Sequence, residues 1–238
     1  MSTLQIVYGL AGIAMGLRTV SNGLKSREAD RKARLGRLPP VGFQGRSVQK
    51  PSRQPLSDVF FNTPSGRIRL RTYNIRNLDE RIAHLRKLAK AGKKDPQVYE
   101  FVRRVVNGKC GNTWCIPEKD NVAEARALFN AIRKNVRYTS DIAGIDSYQK
   151  PRHTLAMRGG DCDDYSTLAC AAAGAIGIPC RFKVIRTQGA PTWNHIYAQL
   201  GFPRRMPRKW ISFDASVPMP FGWEPPPRMV AASRVFPT

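Results

Sequence analysis

The order of elements in this sequence predicts an α+β fold: amphipathic helices, then a small apolar helix headed by a cysteine, then antiparallel strands. Residues 77–91, 96–106 and 120–135 repeat apolar side chains at helical spacing. The stretch after Cys162, DYSTLACAAAGAIG, is small and apolar nearly all round, which places it at the centre of the domain. Residues 193–200 alternate strictly, a loop with Gly201, Pro203 and Pro207 follows, and 208–215 alternates again, as in a hairpin.

The remaining elements follow in order. RIRLRTYNI, residues 67–75, alternates as a half-exposed strand does. The helix over 77–91 turns Leu78, Ile82, Leu85 and Leu88 or Ala89 inward and stops at Gly92. The helix from Pro96 ends before Asn107-Gly108, and the third, capped by Asp120 or Asn121, buries Ala123, Ala127, Leu128, Ala131 and Ile132. A short strand over 136–139 precedes the Gly159-Gly160-Asp161 loop, and PCRFKVIR, 179–186, is a strand behind the cysteine helix. The proline-rich stretch after Val217 wraps the surface, as a lining of the cleft near Asp214 or as an ordered tail.

Length and charge bound the partners. A chain of 238 residues with 42% apolar side chains holds one domain and an extension. Forty Lys and Arg against 17 Asp and Glu give a net charge of +23, suited to nucleic acid, an anionic membrane or an acidic polymer such as a cell-wall polysaccharide. Residues 2–17 carry no charge and end at Arg18, without the basic leading region of a secretory signal. They fall short of the ~20 residues of a span; extended to Leu24 they make a marginal membrane anchor, with Gly12 and Gly16 in a GxxxG. A membrane-inserted or protein-docked helix and a plain packing arm both stay open. From Arg18 to Arg53 ten basic residues face only Glu28 and Asp30, with Pro39, Pro40 and Pro51 interrupting. This basic arm either lies on nucleic acid or lipid headgroups or is a solvated linker. The expected division is 1–56, apolar segment plus basic arm, and 57–238, a folded domain with its core at about 120–216.

Five cysteines leave at least one thiol unpaired within the chain. Cys110 and Cys115 suit a small disulfide loop or half of a metal site. Cys170 and Cys180 sit in apolar runs and read as core. No second Cys or His pair completes a zinc signature, so neither metal nor cofactor is expected.

The chemistry gathers at Cys162, His195 and Asp214. A cysteine at a helix N-terminus meets free backbone N–H groups and the positive end of the helix dipole, both of which favour thiolate. The same N–H groups can hold an oxyanion. Asp161, Asp163 and Asp164 oppose thiolate, so a histidine has to supply activation as an ion pair. Pairing the hairpin strands with His195 opposite Asp214, Tyr197 opposite Ser212 and Gln199 opposite Trp210 sets a carboxylate across from an imidazole on one face. That carboxylate can fix the tautomer and stabilise the imidazolium. Beyond the Cys162 amide, Gln149 and Tyr148 are weak candidates for a second oxyanion donor.

At these residues the chain resembles the transglutaminase-like superfamily. The resemblance runs through Val136-Arg137-Tyr138, PRHTLAMRGGDCDDYSTLACAAAGAIGIPCRFKVI, WNHIYAQL and KWISFDAS, about 100 residues. It implies an α+β fold of papain-like type, with the catalytic Cys at the N-terminus of a buried helix packed on an antiparallel sheet. It also implies Cys162 as nucleophile, His195 as base and Asp214 as orienting residue. Many members carry a small residue and then Trp after the histidine, where this chain has Ile196-Tyr197. The basic chain also resembles phage- and prophage-encoded members, some of them virion proteins. That implies a cysteine peptidase or amidase acting on a protein or peptide, such as a cell-wall stem peptide, in a virion or membrane-associated setting. Cross-linking of a particle protein during assembly, and an inactive basic scaffold, are the alternatives.

Overall fold

A computed structural model of the chain describes residues 59–63, 66–70, 75–141 and 146–238. These lie in the unit Pro55–Thr238. The apolar N-terminal segment and the Arg18–Arg53 arm lie outside the described residues. Among the described residues no helix is long and apolar enough to cross a membrane.

Strands β1 (Val59–Thr63) and β2 (Gly66–Leu70) form an antiparallel hairpin. Helices α1 (Leu78–Gly92), α2 (Pro96–Val106) and α3 (Asn121–Asn135) follow. Each begins where a side-chain oxygen accepts an orphan amide: Asn77 from Glu80, Asp95 from Gln97 and Asp120 from Ala123. Pro96 opens α2, where its missing N–H costs nothing. The buried stripe of α3 is Ala125, Leu128, Phe129 and Ile132, so Ala123, Ala127 and Ala131 fall at its margin and are half-buried. Between α2 and α3, strands β3 (Lys109–Cys110) and β4 (Thr113–Trp114) form a small hairpin joined by the Cys110–Cys115 disulfide. Strand β5 (Arg137–Tyr138) pairs in parallel with β6 (Gly159–Gly160), and between them lies α4 (Pro151–Met157), a helix the apolar pattern did not disclose.

Helix α5 (Cys162–Ala175) is the hub. Residues Asp163 to Ala173 are buried throughout, with α1, α2, α3 and α4 packed around it. Its alanines let neighbours come close. At Gly92, where α1 meets α4 and α5, a Cβ would lie 2.5 Å from Pro151 Cγ and 2.9 Å from Ala171 Cβ.

The main sheet is antiparallel in the order β10–β7–β8–β9, from β7 (Cys180–Thr187), β8 (His195–Phe202), β9 (Lys209–Phe213) and β10 (Val230–Pro237). One face, with Phe182, Val184, Ile196, Ala198, Leu200 and Phe213, joins the core around α5. The opposite face, with Tyr197, Gln199 and Ser212, is also buried. There the C-terminal stretch holds on: Gly222 N donates to Ser212 O at 3.0 Å, and Glu224 accepts from Lys183 Nζ at 2.8 Å and from Gln199 Nε2. The prolines thus carry the chain from the β9 edge to the far edge, where β10 pairs with β7. The tail expected to wrap the surface ends as a strand of the sheet.

One expectation is extended and one corrected. Cys170 and Cys180 are buried in the core as expected and are, beyond that, bonded to each other, joining α5 to β7. The turn at Ile176–Pro179 brings them together, and apolar runs do not encode that proximity. The β8–β9 register also differs, with Gln199 opposite Ser212, Ala198 opposite Phe213 and Phe202 opposite Lys209. The ladder is slipped by two residues, because the connecting loop spans 203–208 and closes with Arg208 N donating to Phe202 O at 2.9 Å. A shift of two keeps every side chain on its face, whereas a shift of one would have reversed them.

Candidate active site

Cys162 is the first residue of α5 and the free cysteine among the described residues. Asp161 is the N-cap: its carboxylate accepts from the Asp163 amide at 3.0 Å and the Asp164 amide at 3.2 Å. Two of the orphan amides expected to serve an oxyanion are therefore occupied, and the cap does not use the amide of Cys162 itself. An Asp directly before an apolar helix was a readable cap signal.

The Gly160-Asp161 step needs a residue without a side chain. A Cβ on Gly160 would lie 2.7 Å from both Cβ and Oδ2 of Asp164. Asp164 in turn anchors the preceding loop, accepting from Gln149 N at 2.8 Å and Gln149 Nε2 at 2.9 Å. Gln149 Nε2 also donates to Gly159 O at 3.1 Å. Gln149 is thus spent on holding the loop, and the Tyr148 hydroxyl donates to Asp146 Oδ2 at 3.3 Å. Both proposed oxyanion donors thus have other partners.

Strand β8 supplies two groups from adjacent residues. The Ile196 backbone amide favours the charged form of the Cys162 thiol. His195, the first residue of the strand, has its Nε2 2.6 Å from Asp214 Oδ2. Asp214 follows the last residue of β9 and is 7% exposed. Its other oxygen, Oδ1, accepts from Ser216 Oγ at 2.6 Å and Ser216 N at 3.2 Å. The Tyr197 ring packs 5.9 Å from that of His195. Ser166, one turn into α5, has Oγ 2.7 Å from Cys162 O and 3.1 Å from Ile196 O, fastening helix to strand beside the sulfur. Ser216 and Ser166 went unnoticed in the sequence. An Asp-x-Ser turn was a signal for the first; nothing local marked the second.

The electrostatics favour a resting thiol. Burial pushes the Cys162 thiol well above its ordinary value, and the negative charges of Asp163, Asp161 and Asp214 add to this, while the Ile196 amide opposes them. Burial likewise raises the neighbouring carboxyls, Asp161 to about 6 and Asp163 and Asp164 to about 7. Both effects act against the thiolate, because an unpaired charge is costly in so enclosed a position. Among the described residues no group of three or more His, Cys, Asp or Glu side chains is disposed to hold a metal ion.

Residues 114–215 match the family model of the transglutaminase-like superfamily. No curated protein matches the chain. Among solved structures it is similar to a candidate cysteine protease from Cytophaga hutchinsonii, at 15% identity and a TM-score of 0.41, over 82% of this chain and 78% of that one. It is similar also to a TGase, at 17% identity and a TM-score of 0.34, over 60% of this chain and 34% of that one. A third is a candidate protease from Parabacteroides distasonis, at 12% identity and a TM-score of 0.39, over 66% of this chain and 39% of that one. The chain thus spans about a third of the length of the TGase and under two-fifths of the Parabacteroides protein. Over residues 114–215, which include Cys162, His195 and Asp214, the chain is thus similar to the transglutaminase-like superfamily.

Proposed function

We propose that residues 57–238 form a cysteine peptidase or amidase in which Cys162 is the nucleophile, His195 the base and Asp214 the residue that orients it. The observation that supports this most is the 2.6 Å contact from His195 Nε2 to Asp214, on the strand that Ser166 Oγ, one turn along the helix from Cys162, joins at Ile196 O. With Nε2 committed to the carboxylate, Nδ1 is the nitrogen left to take the thiol proton.

In this reading the Cys162 Sγ–carbon bond forms as the thiol proton passes to His195, and the carbonyl π pair becomes an oxyanion. Collapse of that intermediate breaks the C–N bond, and the amine leaves with the proton from His195. Water then gives a proton to His195 and attacks the thioester, and breakage of the S–C bond releases the acid and restores the thiol. A protein or peptide is the substrate class, and a stem peptide within an acidic cell wall suits the +23 charge. The segment 1–56 would serve as a basic arm that keeps the enzyme on an anionic surface, as in a virion-associated or membrane-bound lysin.

The test is incubation of the full chain with purified peptidoglycan, with casein and with a glutamine-containing peptide plus a lysine donor, with products read by mass spectrometry. Peptide cleavage lost in Cys162→Ala is the expected result. Ammonia release with an isopeptide product would mean cross-linking instead. Turnover unchanged by Cys162→Ala, or none with any substrate while the 1–56 arm still binds nucleic acid or vesicles, would leave the basic scaffold.

A further inference from the structure

Helices α2 and α4 flank an open groove of about 690 Å³, with Asn135 of α3 also in its wall. Its floor is apolar: Phe101, Val105 and Leu155 are half-buried against the core and line the groove with what stays exposed. Arg104, Arg152 and Arg158 add three guanidinium groups, against the single carboxylate of Glu100. Glu100 is engaged along its own helix, accepting from Arg103 Nε and Nη2 at 3.0 Å and standing 3.7 Å from Arg104 Nε. Arg152 donates to His153 Nε2 at 3.2 Å and stands 4.0 Å from Asp95 Oδ2, the outer limit of an ion pair. Arg158 has no carboxylate partner among the described residues. It is also the C-cap of α4 in left-handed backbone, φ 53° and ψ 33°, where glycine is the residue the geometry favours. An arginine held there against that preference points to a use for its side chain.

We propose that this groove is a subsite for an acidic peptide substrate, its carboxylates held by Arg104, Arg152 and Arg158 and an apolar side chain resting on the floor; the link to cleavage rests on the reading of Cys162 as nucleophile. Charge selects the occupant. A second copy of a chain of net charge +23 would bring like charge to like, and so would the chain's own Arg18–Arg53 arm. The uncharged residues 2–17 would cover the floor but strip water from the arginines without pairing them. An acidic peptide with an apolar side chain satisfies both parts of the groove. Position ties the groove to the chemistry. Arg158 is four residues before Cys162, so their Cα atoms lie within about 14 Å of each other. An extended peptide covers that distance in about four residues, which sets an acidic residue within about four positions of the bond that is cut.

The experiment measures peptide binding by fluorescence anisotropy, using the full chain with Cys162→Ala to stop turnover. The probes are a labelled Glu-Glu-Leu-Glu-Glu peptide and the same peptide with glutamine for glutamate. Arg104→Gln with Arg158→Gly removes two groove charges, and glycine suits the left-handed backbone at 158. Arg208→Gln with Lys209→Gln removes the same charge beside Arg204, which pairs with Glu124 near the start of α3, about 16 Å along that helix from Asn135. The acidic peptide should bind more tightly than the glutamine peptide. The groove pair should weaken it about tenfold, as two exposed charge pairs do, and the distant pair less than about twofold. Arg104→Gln alone, at a side chain 70% exposed, spares the fold and has to weaken binding in the same direction. Equal loss with both pairs, no loss with the groove pair, or equal binding of the two peptides would overturn the subsite and leave Cys162 as nucleophile intact. Tighter binding of an oligothymidylate or of a peptide of residues 2–17, lost in the groove pair, would give the groove to another occupant and overturn the proposal. A dimer in sedimentation that the groove pair disperses would do the same. Binding as expected, with the acidic peptide left uncut by the chain that keeps Cys162, would overturn the subsite as a substrate site and reduce it to a docking groove.

Discussion

His195 Nε2 and Asp214 Oδ2 stand 2.6 Å apart although the two residues are not cross-strand partners. His195 opens β8, while Asp214 lies just beyond the end of β9, on the diagonal. Same-face diagonal neighbours are within reach of an imidazole and a carboxylate. Ser216 takes the second carboxylate oxygen, so Asp214 is held from both sides and turns one fixed oxygen to the ring.

Asp214→Asn should keep much of this geometry and remove the charge. In the proposed mechanism kcat then falls by about 10³ or more, since the amide no longer stabilises the imidazolium. Ser216→Ala leaves the charge and loosens the carboxylate, and a smaller fall, about tenfold, is expected. Steady-state kinetics on any cleaved peptide distinguish the two, and equal activity of Asp214→Asn and wild type would remove Asp214 from the mechanism.

The thiol should titrate late. Because burial and the charges of Asp163 and Asp161 raise the Cys162 thiol, its alkylation by iodoacetamide should climb steadily between pH 6 and 9 instead of standing high at pH 6. Asp163→Asn removes one of the opposing charges, so its profile should move to lower pH. A profile already flat at pH 6 would show the ion pair formed at rest.

Stability should also depend on pH through Asp163 and Asp164. Their folded values, about 7, lie above the ~3.9 of an unfolded aspartate, so the folded state holds these protons more tightly. Their contribution is fully present below about pH 4 and is lost as pH rises through about 7. The opposing effect of growing net positive charge at low pH acts on both proteins alike, so the informative quantity is the difference from Asp163→Asn. Thermal melts at pH 5 and pH 8 should show wild type losing more on going to pH 8 than the variant; the reverse order would place the carboxylate in a favourable charged state.

Gly160→Ala should damage both fold and site. The added methyl meets Asp164 at 2.7 Å, where the carboxylate holds Gln149. A cost of ~1–3 kcal/mol is expected from overpacking, read as a lower denaturation midpoint at unchanged slope. Substitution without loss would mean that the loop relaxes freely.

The Cys170–Cys180 bond closes a short loop between α5 and β7, with a sequence separation of 10. Chain-entropy arguments give ~3 kcal/mol for a loop of that size. Replacing both cysteines by alanine, or adding dithiothreitol, should lower the melting temperature, while Cys162 remains to be alkylated. An unchanged melting temperature in both experiments would show the bond to be dispensable.

The primary sequence alone determined the parts whose signals are local. The helical periods over 77–91 and 96–106, the cap at Asp120, the apolar run after Cys162 and the period of two at 193–200 are written in neighbouring residues, and the corresponding elements are present. The α+β class and the family resemblance around Gly160-Asp161-Cys162 follow from the same stretch. Tertiary structure decided what depends on residues far apart in the chain. The register of β8 on β9 was set by the 203–208 loop, the Cys170–Cys180 pairing by a turn, and the place of β10 in the sheet by contacts with β7. Burial, which alternation and composition leave unmeasured, raised the Cys162 thiol and its acidic neighbours. A spacing pattern specifies which face a side chain takes; only the packed chain specifies what it meets there, because that depends on the closure of loops and the exclusion of water by segments distant in sequence.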